Sequence, residues 1–175
     1  VQGLRASTVE TNDLALAIST LGEELPTGST TDRPAAFRVA VEGQTRGLHP
    51  IVRDEIYKIA AEALRNAFRH AQASRVEVDI RYDNEQFRLR VRDDGRGIDP
   101  AVLAAKGSVG HYGLRGMTER ANVIGGDLAV WSQPKEGTEV ELRVPASAAY
   151  ATTQRRAWFS RTSAVRREHE GGRQS

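Results

Sequence analysis

Between Ile51 and Phe68 the apolar residues fall on one helical stripe, and that stripe limits the possible folds more than any other feature of the chain. Ile51, Val52, Ile56, Ile59, Ala60, Ala63, Leu64, Ala67 and Phe68 recur at three and four residues, the spacing of a long helix lying on a sheet. Pro50 suits the first turn of such a helix, and the pattern ends near Ala71. The neighbouring segments supply the flat partner. Phe37, Val39 and Val41 alternate with Arg38, Ala40 and Glu42, and Val76, Val78, Ile80 and Tyr82 alternate with charged residues. Phe87, Leu89 and Val91 alternate with arginines. Alternation of this kind puts one face of a strand in a core and the other in water. Asp83-Asn84-Glu85 joins the last two runs as a hairpin turn.

Leu114 to Ile124 returns to helical spacing, and Gly125-Gly126 stops it. Leu128 to Ser132 reads as a strand, Pro134 to Gly137 as a turn, and Thr138 to Val144 as a last strand. The order is strand, helix, two strands, helix, two strands. It predicts an α/β fold, a two-layer α/β sandwich in which a mixed sheet is covered on one face by helices. Upstream, Leu14, Ala17, Ile18 and Leu21 mark an amphipathic helix within residues 9–25, and Pro26 to Pro34 reads as a linker. Pro100 is placed to start a short helical turn, and Lys106 to Gly113 forms a glycine-bearing loop. Beyond Pro145 the pattern fades. Trp158 and Phe159 stand in an arginine-rich tail expected to be disordered.

The composition narrows the function classes. The chain has 175 residues, enough for one domain with a proper core plus flanking segments. The net charge of +2 is local, because six arginines against two glutamates fall within residues 150–175. The remainder therefore lacks the basic excess that marks many nucleic-acid binders, and no nucleic-acid partner is expected. The absence of cysteine excludes disulfides, thiolate metal sites and thiol nucleophiles. No apolar run reaches membrane-spanning length. Val1 heads the chain without a signal-like segment, and the chain reads as a piece of something longer.

Three short motifs carry the chemistry. Glu62, Asn66 and His70 lie four apart, a single stripe on the long helix with Arg69 beside it. Asn66 offers a neutral carbonyl oxygen to Mg²⁺, a cation that prefers hard oxygen ligands, and Arg69 suits a phosphate oxygen. Taken alone, this stripe reads more readily as a solvated helix edge with an i,i+4 hydrogen-bonding pair. Asp93 ends a strand and enters Gly95-Arg96-Gly97-Ile98. A carboxylate there can accept from an exocyclic amine such as that of adenine, and the glycines allow a flat ring close approach. A tight Asp-Gly turn is the plain alternative. Gly110, Gly113 and Gly116 surround a helix start, where free N–H groups favour an anion. A surface loop would look the same. Neither a P-loop nor the dinucleotide glycine fingerprint is present, and the four histidines are scattered without metal-ligand spacing.

In this order and separation the three blocks resemble the N, G1 and G2 boxes of the GHKL ATPases. The match runs Glu62 to His70, then Asp93 to Gly97, then Gly110-His111 through Glu119-Arg120, with a late Gly137-Thr138. Within that superfamily it is similar to sensor histidine kinases of the nitrate-sensor and LuxR-regulator-coupled type, over about residues 35–145. The resemblance implies the Bergerat fold and the cofactors ATP and Mg²⁺. It implies that Asn66 binds Mg²⁺, that Arg69 and His70 contact phosphates, and that Glu62 is the catalytic residue, orienting water or polarising the reacting groups. Asp93 would bind adenine N6 with support from Thr138. Gly95, Gly97 and Ile98 would shape the adenine pocket, and Gly110, His111, Tyr112, Gly113 and Leu114 would close over the phosphates. Asp94 stands where Asn is more usual.

The resemblance also implies the setting. Residues 1–34 would be the end of an upstream dimerisation helix plus linker, residues 35–146 the ATP-binding domain, and residues 147–175 a basic tail. No phosphoacceptor histidine motif is present, so the phosphorylated histidine would belong to an upstream dimerisation domain of a homodimeric parent. A response regulator, of LuxR type, would receive the phosphoryl group. The domain is expected in the cytoplasm, its parent either free or anchored in the inner membrane. Another GHKL-type ATPase, an anti-sigma-factor serine kinase, or a nucleotide-free binding module of the same fold are the alternatives.

Overall fold

The computed structural model describes residues 13–25, 35–99 and 112–151. Helix α1 (Asp13–Glu24) precedes strand β1 (Ala36–Glu42), the long helix α2 (Pro50–His70) and the hairpin β2 (Arg75–Tyr82) and β3 (Gln86–Asp93). Helix α3 (Tyr112–Val123), strands β4 (Asp127–Gln133) and β5 (Gly137–Pro145), and a short α4 (Ala146–Ala149) follow. The five strands form one sheet in the order β1-β2-β3-β5-β4. β1 and β2 are parallel, joined through α2, and the other pairs are antiparallel. This is the mixed sheet that the element order predicts.

The alternating residues of β2, β3 and β5 sort as anticipated, whereas Val41 near the end of the edge strand β1 and Ile51 in the first turn of α2, both read as core-facing, are exposed. Val76, Val78 and Ile80 of β2, Phe87, Leu89 and Val91 of β3, and Val140, Leu142 and Val144 of β5 are all buried against the helices. Ile56, Ile59, Leu64 and Ala67 of α2 meet them, with Met117 and Ala121 of α3. The opposite face is a lattice of charge. There Arg90 pairs with Asp79 at 2.6 Å, Arg38 with Glu77 at 3.3 Å, and Glu141 receives both Arg88 and Arg143. Charges of both signs interleave on that face, so it repels no water and presents no single-sign field.

Local chemistry sets the turns. Asp83 Oδ1 accepts the backbone N–H groups of Glu85 and Gln86 at 2.9 and 2.7 Å, which closes the β2–β3 hairpin. Those two bonds hold its carboxyl below the usual aspartate range. At the end of α3, Gly125 takes a φ of +68°. Gly126 N–H bonds to Ala121 O and Gly125 N–H to Asn122 O, the paired bonds of a Schellman stop.

Two boundaries differ from the expectation. The division at residue 34 does not separate α1 from the domain, because Leu14 and Ile18 are buried in the common core and Gly22 lies flat against the Phe37 ring. A side chain at Gly22 would collide with that ring. The supposed tail starting at residue 147 also begins too early. Ala149 and Tyr150 are buried, and Leu48 and Tyr150 form an antiparallel bridge. His49 N–H bonds to Ala149 O and Ala151 N–H to Gly47 O. Tyr150 stacks on Tyr82 at 6.4 Å, donates its hydroxyl to Gln86 O, and carries the Arg46 guanidinium 3.9 Å above its ring. Burial pushes the Tyr82 hydroxyl up to about 12. The linker at Pro26 to Pro34, the helical turn at Pro100 and residues 152–175 lie outside the described residues.

The strap gives a direct stability test. Tyr150→Ala empties a buried site and should cost about 3 kcal/mol in urea unfolding. Tyr150→Phe removes only the hydroxyl bond and should cost about 1 kcal/mol. Equal, negligible effects would mean that residues past Pro145 add nothing to the fold.

Candidate functional site

A cavity of about 780 Å³ opens between α2, the end of β3, the start of α3 and the β4–β5 turn. Its walls include Glu62, Asn66 and His70 from α2, Asp93, Gly97 and Ile98 from β3 and the loop after it, Gly113 and Leu114 from α3, and Thr138 from β5. These residues come from all three motifs. Helical periodicity explains the first group, since residues four apart on α2 share a face. The strand register explains the second, because Asp93 of β3 stands directly opposite Thr138 of β5.

Asp93 is the most constrained polar group of the site. It is only 7% exposed. Its Oδ1 accepts the Gly95 N–H at 2.9 Å. Burial raises its carboxyl above the ordinary aspartate value, and hydrogen bonds from the Gly95 and Thr138 backbone N–H groups partly oppose this. Asp94, by contrast, faces away and is structural. Its Oδ1 accepts the N–H groups of Ser74 and Arg75, both at 2.8 Å. An asparagine carbonyl would accept the same two bonds, which explains why either residue suits that position.

The glycines differ in their duties. Gly95 is buried and does not line the cavity. A Cβ there would collide with the backbone of Ala71, so Gly95 lets the loop after β3 lie against the end of α2, where Arg96 N–H bonds to Ala71 O at 2.7 Å. Gly97 has a φ of +72° and a Cβ there would strike the Gln133 carbonyl. Gly113 lets the first turn of α3 approach Glu62. A Cβ there would sit 2.5 Å from Glu62 Oε1. Gly113 and Leu114 thus bring the N-terminal turn of α3 onto the cavity wall, where the helix dipole favours an anion.

Glu62 is itself engaged. Its Oε2 accepts Arg65 Nη2 at 2.7 Å and Nε at 3.3 Å. Arg69 is exposed in the last turn of α2 and is not among the lining residues. Gly110 and His111 lie outside the described residues. For Tyr112 only its place at the start of α3 is described.

Several site residues escape a motif reading. Ala63, Ala71, Val91, Pro134 and Val140 give the cavity apolar walls, suited to a flat heteroaromatic ring. Arg96 and Asp99 reach the same cavity. Ser132 lies behind Thr138 and ties three segments together through Ile98, Gly137 and Thr138. The spacing of Glu62 and Arg65 was available in the sequence as an i,i+3 pair. Nothing local marks Ser132.

The chemistry of the donor set bears on the metal. Among the described residues no cluster of three or more His, Asp or Glu could cage an ion. Mg²⁺ bound with phosphates needs no such cage, since it retains waters and takes one or two protein oxygens. Asn66 on the cavity wall fits that role.

Comparison with known proteins agrees with the geometry. Residues 51–148 match the model of the histidine kinase-, DNA gyrase B- and HSP90-like ATPases. The chain belongs to that family. It is 43% identical over 94 residues to the sensor histidine kinase LiaS of Bacillus subtilis, covering 54% of this chain and 25% of that protein. It is 33% identical over 90 residues to the signal transduction histidine-protein kinase/phosphatase DegS of Brevibacillus brevis, covering 51% and 22%. The chain thus matches about a quarter of the length of these relatives. Among solved structures, the histidine kinase domain of the Erythrobacter litoralis EL346 blue-light activated histidine kinase superposes with a TM-score of 0.57 at 27% identity. That likeness covers 77% of this chain and 59% of the other.

The buried carboxyl predicts a pH signature. Asp93 is harder to ionise in the folded chain than in the unfolded one, where the ordinary value is 3.8. Its contribution to stability is full below that value and is lost as pH rises through the raised folded value. The stability of the wild type relative to Asp93→Asn should therefore fall as pH is raised across that window, in urea titrations at several pH values. A constant difference would show that the carboxyl is not desolvated.

Proposed function

We propose that this chain is the catalytic ATP-binding domain of a sensor histidine kinase, binding MgATP in the cavity between α2 and α3. The observation that carries the reading is the convergence of Asn66, Asp93, Thr138 and Gly113 on one cavity wall system. The base would lie at the Asp93 end, against Val91, Ala71 and Val140, with its exocyclic amine donating to the carboxylate. Gly97 and Ile98 would border the ring. The triphosphate would run toward the first turn of α3, where backbone N–H groups offset its charge. His70 would be a further donor at the α2 end of the cavity, and Arg69, exposed beside it and off the cavity wall, would meet the phosphates only by swinging toward them. Asn66 would hold Mg²⁺, which neutralises charge on the phosphate oxygens during transfer.

In this reading Glu62 is the catalytic group beside the terminal phosphate, held by Arg65 until substrate arrives. Phosphoryl transfer asks the protein mainly for positioning and charge neutralisation, and this cavity supplies both. The γ-phosphoryl group would pass to a histidine of an upstream dimerisation domain and then to an aspartate of a response regulator, of LuxR type by the sequence resemblance. A homodimeric parent and a cytoplasmic position for this domain follow from the same reading. Among the described residues no helix is long and apolar enough to cross a membrane.

Calorimetric titration tests the assignment. Wild type should bind MgATP, and Asp93→Asn should weaken it roughly 10- to 100-fold, the worth of a charge-assisted hydrogen bond. Asn66→Ala should weaken binding in Mg²⁺ and leave ATP binding in EDTA unchanged. If Asn66→Ala lowers affinity equally with and without Mg²⁺, the metal role is wrong. If Asp93→Asn leaves affinity intact, the base does not sit where proposed.

A further inference from the structure

The Ser132 hydroxyl touches three partners, and their chemistry leaves only one assignment of protons that satisfies them all. Ile98 N–H donates to Ser132 Oγ at 2.7 Å. Ser132 Oγ lies 2.9 Å from the Gly137 carbonyl oxygen, which can only accept, so the serine proton goes there. Thr138 Oγ1 lies 2.9 Å from the same oxygen. With the serine proton already committed, that contact uses the threonine proton. Ser132 is then saturated, with one bond donated and two accepted.

The consequence falls on Thr138, which lines the cavity while Ser132 does not. Its hydroxyl proton points back toward Ser132, so only oxygen lone pairs remain to face a ligand. Asp93 stands opposite Thr138 across the β3–β5 pair and is an acceptor when ionised. That end of the cavity therefore presents acceptors from both residues. A purine carrying an amine at position 6 meets it with donors. A purine carrying a carbonyl there sets its O6 acceptor against these acceptors, and its N1–H offers one donor at the neighbouring position where the amine offers two at position 6. Unpaired polar groups of this kind are costly in a desolvated site.

We propose that Ser132 is a positioning residue for base selection: by taking the Thr138 proton, it fixes Thr138 as an acceptor and so favours 6-amino over 6-oxo purine nucleotides. The inference rests on the nucleotide reading of this cavity. Ser132 also anchors Ile98 and the Gly137 turn, so a loss of overall affinity alone would be an ordinary structural effect. The informative quantity is the ratio of affinities for two ligands that differ at the purine ring.

The experiment measures binding of MgATP and MgITP to the full chain by calorimetry. Wild type should prefer ATP. Ser132→Ala frees the Thr138 proton to turn toward a 6-oxo group, and the ATP-to-ITP ratio should fall about five- to tenfold, the worth of one hydrogen bond. Ser132→Thr, which keeps a hydroxyl, should hold the ratio near that of wild type. In the Thr138→Val background, Ser132→Ala should change the ratio by less than about twofold, because its effect passes through the missing hydroxyl. A ratio unchanged by Ser132→Ala, or lowered as much in the Thr138→Val background, overturns the proposal while leaving the nucleotide site standing. Equal affinity of wild type for ATP and ITP does the same. If wild type binds neither nucleotide, the functional reading falls and the inference with it.

Discussion

The pairing of β3 with β5 is the constraint on which the rest of the site depends. The register sets Asp93 opposite Thr138, Val91 opposite Val140 and Leu89 opposite Leu142. A slip of one residue would turn Val91 and Leu89 outward and bring arginines into the core, so the apolar faces enforce the register. The same register places a carboxyl and a hydroxyl at the rim of the core, where the sheet runs out beneath α2. Site and core are thus set by one alignment. The Gly137 turn adds to it. With φ at +93°, Gly137 packs against the Asp93 backbone so closely that any side chain would collide.

The layers divide the work. The apolar face of the sheet and the stripe of α2 bury Phe87, Ile56, Ile59 and Leu64 completely, which makes α2 a rigid rail for Glu62, Asn66 and His70. The opposite face of the sheet pairs its charges internally and takes no part in the cavity. The loop after β3 is tied at both ends, by Asp94 to Ser74 and Arg75 and by Ile98 to Ser132. A cavity wall made of loop is therefore held by side-chain hydrogen bonds to regular strands. Preorganised acceptors of this sort cost nothing to arrange when a ligand arrives.

Much of this was legible in the sequence because it is local. Alternation in Val76 to Tyr82 and in Phe87 to Val91 marks both strands and their buried faces, Asp83 marks the hairpin, and Gly125-Gly126 marks the stop. The stripe of Glu62, Asn66 and His70 places three polar residues on one face by helical spacing alone. The misread boundaries are non-local. Tyr150 is a lone aromatic without periodic neighbours, and its partners Arg46 and Tyr82 are far away in sequence. Leu14 and Ile18 show helical spacing, but nothing in them says which core receives them. Asp93 facing Thr138 depends on a strand register across an intervening helix, and Ser132 looks like any polar residue on a strand. Motif order brings the first pair together only through family resemblance. It says nothing of the second.

In the proposed function one cavity, between α2 and α3, takes the nucleotide. Backbone amide chemical shifts, followed as MgATP is titrated into the full chain, test this most directly. The shifts are predicted to concentrate at Asn66, His70, Gly95 to Ile98, Gly113, Leu114 and Thr138, with the charged sheet face at Arg88, Arg90 and Glu141 left unmoved. Shifts gathered on that charged face, or no perturbation around Asp93 and Thr138 at saturating nucleotide, would contradict it.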